Sequence, residues 1–315
     1  MQTTPAVTVV TIFLNEKRFL QEAIDSVRAQ TVADWEYILV DDGSTDGSSD
    51  IARAAAAADP RIRYVDHPNH ANQGMSASRN LGLRHARAAL IAYLDADDVW
   101  GPGKLASQIA VMSANPRAAM TYGQVRLWHA WTGDSGAPRD FDYGLIDHGY
   151  HLRPNRLYEP PSLLALILRF ESLTPTPSAV MIRRSVLEAV GGSEESFRSA
   201  YEDGILYVKI GASYPIYPSD ACVTQYRIHQ QSASRTAERV GTMANDRSRF
   251  LEWTRGYLTR QPSFDQTLEH AVRTAEWQVA HPDLLAWQHT LRAVPDRVRG
   301  ALGRVVRRII GAHAA

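Results

Sequence analysis

The sequence predicts an α/β protein: a mainly parallel central sheet with flanking helices, followed by a helical C-terminal extension. Three observations predict it. Four short β-rich apolar runs near the N-terminus are each followed by a helix-like stretch, the βαβα alternation that builds a parallel sheet covered by helices. The 315 residues are 44% apolar, enough to bury a core in one large domain or two smaller ones. From about Thr242 the chain reads as helical to its end.

The four runs are Val7 to Ile12, Trp35 to Val40, Ile62 to Val65 and Leu90 to Leu94. The first helix puts Phe19, Leu20, Ala23, Ile24 and Val27 on one stripe, with Glu22, Asp25 and Arg28 opposite. A second covers roughly Asp46 to Ala58 and stops at "DPRI", where Pro60 cannot continue it. A third runs from about Ser76 to Ala86 and a fourth from about Lys104 to Ser113. Beyond Asn115, "AAMTYGQVRLW" reads as a strand, whereas residues 129 to 162 are rich in Gly, Pro, Asp and aromatics without a sustained period. That segment is expected to be a long functional loop or insertion. Then come the helical "PSLLALILRF", the strand "PSAVMIRR", a helix from Ser185, another from about Glu202 to Ala212, and the strand-like "ACVTQYRIH".

Lys plus Arg and Asp plus Glu number 34 each, so the formal charge is zero and no overall field recruits nucleic acid or an anionic membrane. The single cysteine, Cys222, excludes an intrachain disulfide framework and multi-cysteine zinc sites, and reads as a buried small apolar residue in a reducing compartment. There is no basic leader, and no window reaches the ~18 uncharged apolar residues of a membrane span. A cytoplasmic protein is expected.

In an open parallel sheet, ligands bind beyond the carboxyl ends of the strands. The second run ends in "VDDGSTDGSS" and the fourth in "LDADDVW", so two acidic clusters should face one crevice. Asp95 and Asp97 share a side if the extended conformation persists, which suits a hard divalent cation that shares its shell with substrate phosphates. Helix capping is the simpler role for such aspartates, and three in succession tilt the reading towards a metal-diphosphate site. In "DDGSTDG", Gly43 permits the turn while Ser44, Thr45 or Asp46 caps the next helix, and Asp41 or Asp42 can accept hydrogen bonds from a base or ribose. The stretch "FLNEKRFL" after the first run has no glycine, which excludes the G-x-G-x-x-G turn of a dinucleotide dehydrogenase.

The succession "VTVVTIFLNE", "DWEYILVDDGSTDGSSDIA", "GMSASRNLGLRHARAALIAYLDADDVW" resembles the nucleotide-sugar-binding half of family 2 inverting glycosyltransferases, which have the GT-A fold. The resemblance covers roughly residues 6 to 115. It implies that Asp42 binds the donor base, that Asp95 and Asp97 form a D-x-D pair with Asp97 contacting Mn²⁺ or Mg²⁺, and that Arg79 lies near the diphosphate. Ile12 stands where the family usually has proline, and its backbone would contact the base. A looser likeness in "VGGSEESFRSAYEDGILYVKI" implies that Asp203, with Glu202 beside it, is the catalytic base. "YRIHQQSAS" resembles a later R-x-H segment and implies that His229 lies near the metal. The implied division is 1–240 as the glycosyltransferase domain, 1–115 binding donor and 116–240 acceptor, with 241–315 as the helical extension. The implied partners are a nucleotide-sugar donor, a UDP-sugar by preference, and a saccharide, lipid-linked or small-molecule acceptor.

Neither a Q-x-x-R-W sequence nor a membrane span is present, which argues for single-sugar transfer over processive synthesis. A haloacid dehalogenase-like phosphatase needs its D-x-D after the first strand, and a sugar-nucleotide pyrophosphorylase needs a Gly-rich loop there. A catalytically degenerate nucleotide-sugar-binding or interaction protein is the remaining alternative. Trp128, Trp131, Tyr143, Tyr150 and Tyr158 are expected mainly to anchor the irregular segment, with an acceptor wall as their second reading. In the tail, Val298, Ala301, Leu302, Val305, Val306, Ile309 and Ile310 form one stripe largely opposite Arg297, Arg304, Arg307 and Arg308, suited to peripheral membrane contact or to packing on protein.

Overall fold

A computed structural model describes residues 4–134, 138–143, 152–172, 174–198 and 200–281. The first four strands form where the apolar runs lie: β1 (Val7–Phe13), β2 (Trp35–Asp41), β3 (Ile62–Asp66) and β4 (Leu90–Tyr93). All pair in parallel, with β1 between β2 and β4 and with β3 outside β2. Their side chains alternate between two cores. Val7, Val9, Trp35, Tyr37 and Leu39 join one, and Val10, Ile38 and Val40 the other, as a sheet covered on both faces requires.

The first core is closed by α1 (Leu20–Arg28), α2 (Ser48–Ala58) and α4 (Lys104–Ala114). The second lies beneath α3 (Met75–His85), α6 (Arg184–Ala189) and α7 (Glu202–Gly211).

Past β4 the sheet becomes mixed. A two-residue strand, β5 (Val99–Trp100), precedes α4, and β6 (Met120–Trp128), β7 (Phe141–Tyr143), β8 (Val180–Arg183) and β9 (Ile216–Arg227) complete it. The order among the described residues is β3-β2-β1-β4-β8-β6-β9-β5, with β7 on β6. The β4–β8, β6–β8, β6–β7 and β5–β9 pairs are antiparallel, and β6–β9 is parallel. The parallel character predicted from sequence therefore holds for the first four strands and for the β6–β9 pair, and the rest of the described sheet is antiparallel.

A third core joins α5 (Ser162–Leu168) and α7 to α9 (Met243–Leu258) and α10 (Gln266–Ala280), through Leu164, Leu168, Val208, Leu258, Leu268 and Val272. A break from Thr259 to Asp265 separates α9 from α10, where the side chain of Asp265 accepts from the Leu268 N–H and starts the new helix. A short α8 (Ala233–Arg239) also lies ahead of α9, in a stretch without apolar periodicity. No helix among the described residues is long and apolar enough to cross a membrane. The tail stripe and Tyr150, like the side chain of Cys222, lie outside the described residues.

Candidate donor and catalytic site

The strand ends of the parallel half converge with the start of α7 and the end of β9. The extended conformation does not persist after β4: the Asp98 N–H donates to the Asp95 carbonyl at 3.1 Å, closing a turn. That turn sorts the three aspartates by function. Asp98 is buried, and its carboxylate accepts from Ser178 Oγ at 2.5 Å and from the Arg227 N–H at 3.0 Å. Burial, with Asp97 and Asp95 close by, pushes its pKa far above the usual carboxylate value. It is a structural tie between the loop and β9. The side chains of Asp95 and Asp97 keep 27% and 22% of their exposure, so these two face open space.

Asp97 Oδ2 lies 2.9 Å from His229 Nε2. The ring of His229 is buried against Phe19, with 4.9 Å between centroids, and its Nδ1 has no hydrogen-bond partner among the described residues. Arg227 fixes this corner. Its Nε donates to the Asp97 carbonyl at 2.7 Å and its Nη2 to Glu22 at 2.8 Å, while its guanidinium lies 4.4 Å from the Trp128 ring centroid and 5.1 Å from that of Trp131. Trp131 Nε1 donates to the Ile228 carbonyl, so Trp128 and Trp131 pack as anchors. Tyr158 does the same through Arg153, and Tyr143 lies on β7.

Arg79 is buried on α3 rather than exposed on the surface. It forms an ion pair with Glu202, itself buried, and its Nη2 lies 3.5 Å from Asp95. Asp203 follows Glu202 in the first turn of α7 and accepts the Gly204 N–H at 2.8 Å. Burial and the neighbouring Glu202 raise its pKa to about 6 against the opposing pull of Arg79. Asp95 rises to about 7, again through burial first, with Arg79 opposing and Asp97, Glu202 and Asp203 adding to the rise. Around Arg79 the carboxylates Asp95, Glu202 and Asp203 outnumber the guanidinium, while the buried guanidinium of Arg227 is paired with Glu22.

The loop after β2 is wired differently. Asp41 is fully buried, accepting from the Gly43 and Ser44 N–H groups, from Tyr64 at 3.0 Å and from Ser49 Oγ. Burial alone would raise this carboxyl; the bonds from Ser49, Ser44 and Tyr64 outweigh it and hold the pKa below its ordinary value. Asp42 accepts from the Gln73 N–H at 2.7 Å and the Gly74 N–H at 3.0 Å, with His67 Nε2 at 3.7 Å. None of the expected residues is the N-cap of α2: Gly47 takes that position, and Asp46, one residue earlier, accepts the Ser48 N–H at 2.9 Å. Gly43 has φ +90°, and a Cβ there would sit 2.9 Å from the His70 carbonyl, so both turn and close approach require glycine. Ile12, near the end of β1, is half-buried and pairs with Val40 in register.

Sequence reasoning missed Glu16. It sits in the loop after β1, where burial, followed by Asp97, Asp46 and Asp95, lifts its carboxyl to about 8. An acid directly after the first strand was the available signal, since that strand end belongs to the same crevice.

The donor set is compatible with a hard cation that completes its shell from a ligand. Asp97 and His229 supply oxygen and nitrogen within one hydrogen bond of each other, and Asp95 adds unbalanced charge. Among the described residues there is no group of three or more His, Cys, Asp or Glu placed to hold a metal alone.

A Bacillus subtilis protein, the uncharacterized glycosyltransferase EpsJ, is 42% identical over 94 residues, which is 30% of this chain and 26% of that relative's length. Two solved structures share the fold. Staphylococcus aureus TarS 1-349 in complex with UDP-GlcNAc has a TM-score of 0.61 at 16% identity, covering 85% of this chain and 70% of that one. The mannosyltransferase PcManGT from Pyrobaculum calidifontis, in complex with GDP-Man and Mn²⁺, has a TM-score of 0.60 at 17% identity, covering 98% and 81%. The fold is thus the GT-A arrangement that the sequence resemblance implied. The sequence model of glycosyl transferase family 2 matches residues 8–191, more than half of the chain, and the chain belongs to that family.

Proposed function

We propose that the chain is a metal-dependent inverting glycosyltransferase that moves one sugar from a nucleoside-diphosphate sugar, a UDP-sugar being favoured, to an acceptor hydroxyl. The observation that carries this reading is the shared crevice of Asp95, Asp97, His229, Arg79 and Asp203, drawn from β4, β9, α3 and α7. The nucleotide sugars bound to TarS and PcManGT support it by analogy. Residues 1–115 would bind donor and 116–240 acceptor, with 241–315 as an extension; a peripheral membrane role for that extension stays with the tail.

Asp97 and His229 would hold the cation. When bound, Mn²⁺ or Mg²⁺ supplies charge neutralisation for the departing diphosphate. Arg79 pairs with Glu202 and holds it in place beside Asp203. Asp203, raised by burial yet ionised at neutral pH, takes the acceptor hydroxyl proton as the oxygen attacks the anomeric carbon opposite the leaving group. Asp42 anchors the loop that carries Gln73 and Gly74, and on this reading presents its remaining acceptor capacity to the donor base.

Calorimetric titration of UDP, GDP and dTDP with Mn²⁺, then with EDTA, tests the donor site. Metal-dependent binding of one nucleotide is expected, and no binding under any condition would sink the reading. Asp203→Asn should keep that affinity and lower transfer by about 10²–10⁴-fold. Unchanged turnover would remove Asp203 as the base. Nucleotide binding without transfer to any acceptor would favour the degenerate binding protein instead.

A further inference from the structure

One peptide unit beside Asp42 is held from both ends. The Gly74 N–H donates to the Asp42 carboxylate at 3.0 Å, and the carbonyl of the same peptide, that of Gln73, accepts from Arg198 Nη2 at 2.6 Å. A carboxylate and a guanidinium thus grip opposite poles of one amide, and each polarises it in the sense that strengthens the other bond. The Gln73 N–H adds a further bond to Asp42 at 2.7 Å. Gly74 has φ +89° and ψ 163°, a region that glycine alone occupies readily, and the same freedom would let the peptide turn away if its ends were not fixed. The Arg198 side chain lies against the bare Cα of Gly74, where a Cβ would stand 3.6 Å from Nε.

Arg198 reaches this peptide from the other half of the chain. It follows the buried Phe197 in the connection between α6 and α7. That connection is fastened to α3, the helix whose N-cap is Gly74. Ser193 exchanges two hydrogen bonds with Asn80 of α3, its N–H donating to Oδ1 at 2.8 Å and its carbonyl accepting from Nδ2 at 2.9 Å. Lys209 of α7 adds a third tie, its Nζ donating to the Gly192 carbonyl at 2.9 Å. The platform beneath Arg198 is therefore firm, whereas the arginine itself is exposed. An exposed arginine loses side-chain entropy when it settles on a backbone carbonyl, so this contact differs from ordinary surface solvation.

We infer that Arg198 is a positioning residue of the donor site, acting from the acceptor half through the Gln73–Gly74 peptide to fix the face that Asp42 presents to a nucleotide base. The inference rests on the transferase reading, which it deepens by adding a residue that governs base binding. A base that binds Asp42 in this arrangement must in turn steady the arrangement.

The probes are UDP, GDP, dTDP and, as a diphosphate without a base, inorganic pyrophosphate, each titrated with Mn²⁺ into the full chain. Arg198→Gln is expected to weaken the tightest-binding nucleotide about tenfold and to leave pyrophosphate within about twofold, with Arg198→Lys restoring part of the loss. Equal weakening of both, or an unchanged nucleotide affinity, would overturn the assignment. If the variant fails to fold, hydrogen exchange on the native chain decides. The nucleotide, and not pyrophosphate, should slow exchange of the Gly74 amide and of the amides from Ser193 to Arg198 by about tenfold, and exchange there that ignores the nucleotide would overturn the assignment. A native chain that binds every nucleotide no better than pyrophosphate would overturn it too, by removing the base contact while the metal-diphosphate site stands. Absence of all binding would sink the donor reading and this inference with it.

Discussion

The loops after β2 and β4 have similar acidic sequences, "VDDGSTDG" and "LDADDVW", and different wiring. After β2 both adjacent aspartates are bonded to backbone N–H groups of their own or a neighbouring loop. After β4 only Asp98 is tied in this way, through Ser178 and Arg227, and Asp95 and Asp97 face the crevice. The difference lies in what surrounds the carboxylates rather than in their number. Where N–H donors converge, the negative charge is absorbed by the fold; where they do not, it remains for a cation or a substrate.

The strongest way to break this comparison is to exchange the readouts of neighbours. Asp97→Ala is expected to reduce Mn²⁺-dependent nucleotide affinity by about 100-fold or more while changing stability by less than about 1 kcal/mol. Asp98→Ala should lower unfolding free energy by about 2–4 kcal/mol, because it strands a buried N–H and a buried hydroxyl. Denaturant titration beside calorimetry separates the two, and the same response from both variants would dissolve the distinction. Asp41→Ala belongs with Asp98→Ala in this test, at about 2–4 kcal/mol. Since its folded pKa is depressed, Asp41 contributes stability that is full above the ordinary carboxylate pKa and is lost as pH falls through the lowered value.

Gly43→Ala probes the β2 loop from its backbone. A cost of about 1–3 kcal/mol is expected from the positive φ and the His70 carbonyl, read as a lower midpoint in urea. The smallest effect is a pH dependence. On the proposed reading Asp203, whose pKa is raised, is the base and must be deprotonated, so transfer should increase about tenfold from pH 5 to pH 7, levelling above the midpoint near 6. A flat profile in kcat/KM across that interval would separate Asp203 from proton transfer.

The parallel half was legible because its strands are buried on both faces and its helices carry a single apolar stripe, as Leu20, Ala23, Ile24 and Val27 do. The second half was less so. β5 is too short to show a period, and the register of β9 against β6 shifts twice around Gln124, which no local pattern announces. At the site, the aspartates were visible as residue types, but their separate functions were not. Asp98 is defined by a hydroxyl 80 positions away in the chain and an N–H 129 positions away, and Glu16 by charges that only the folded sheet gathers. The break after Leu258 is the opposite case: Pro262 interrupts the helix and Asp265 caps the next one, signals that were present in the sequence and that the continuous helical expectation passed over.

The grip of Arg227 on the turn after β4 also bears on how the chain acquires its site during synthesis. The four parallel strands leave the ribosome well before residue 227, whereas the carbonyl of Asp97 and the carboxylate of Asp98 gain their last partners only when β9 docks. Such long-range closure is a slow step in folding. A nascent chain arrested before β9 would carry a formed sheet and an unfinished crevice. Pulsed hydrogen exchange during refolding should accordingly show the amides of Asp98 and Arg227 becoming protected together, after those of Val9 and Leu39; early protection of Asp98 alone would show that the turn assembles without its distant clasp.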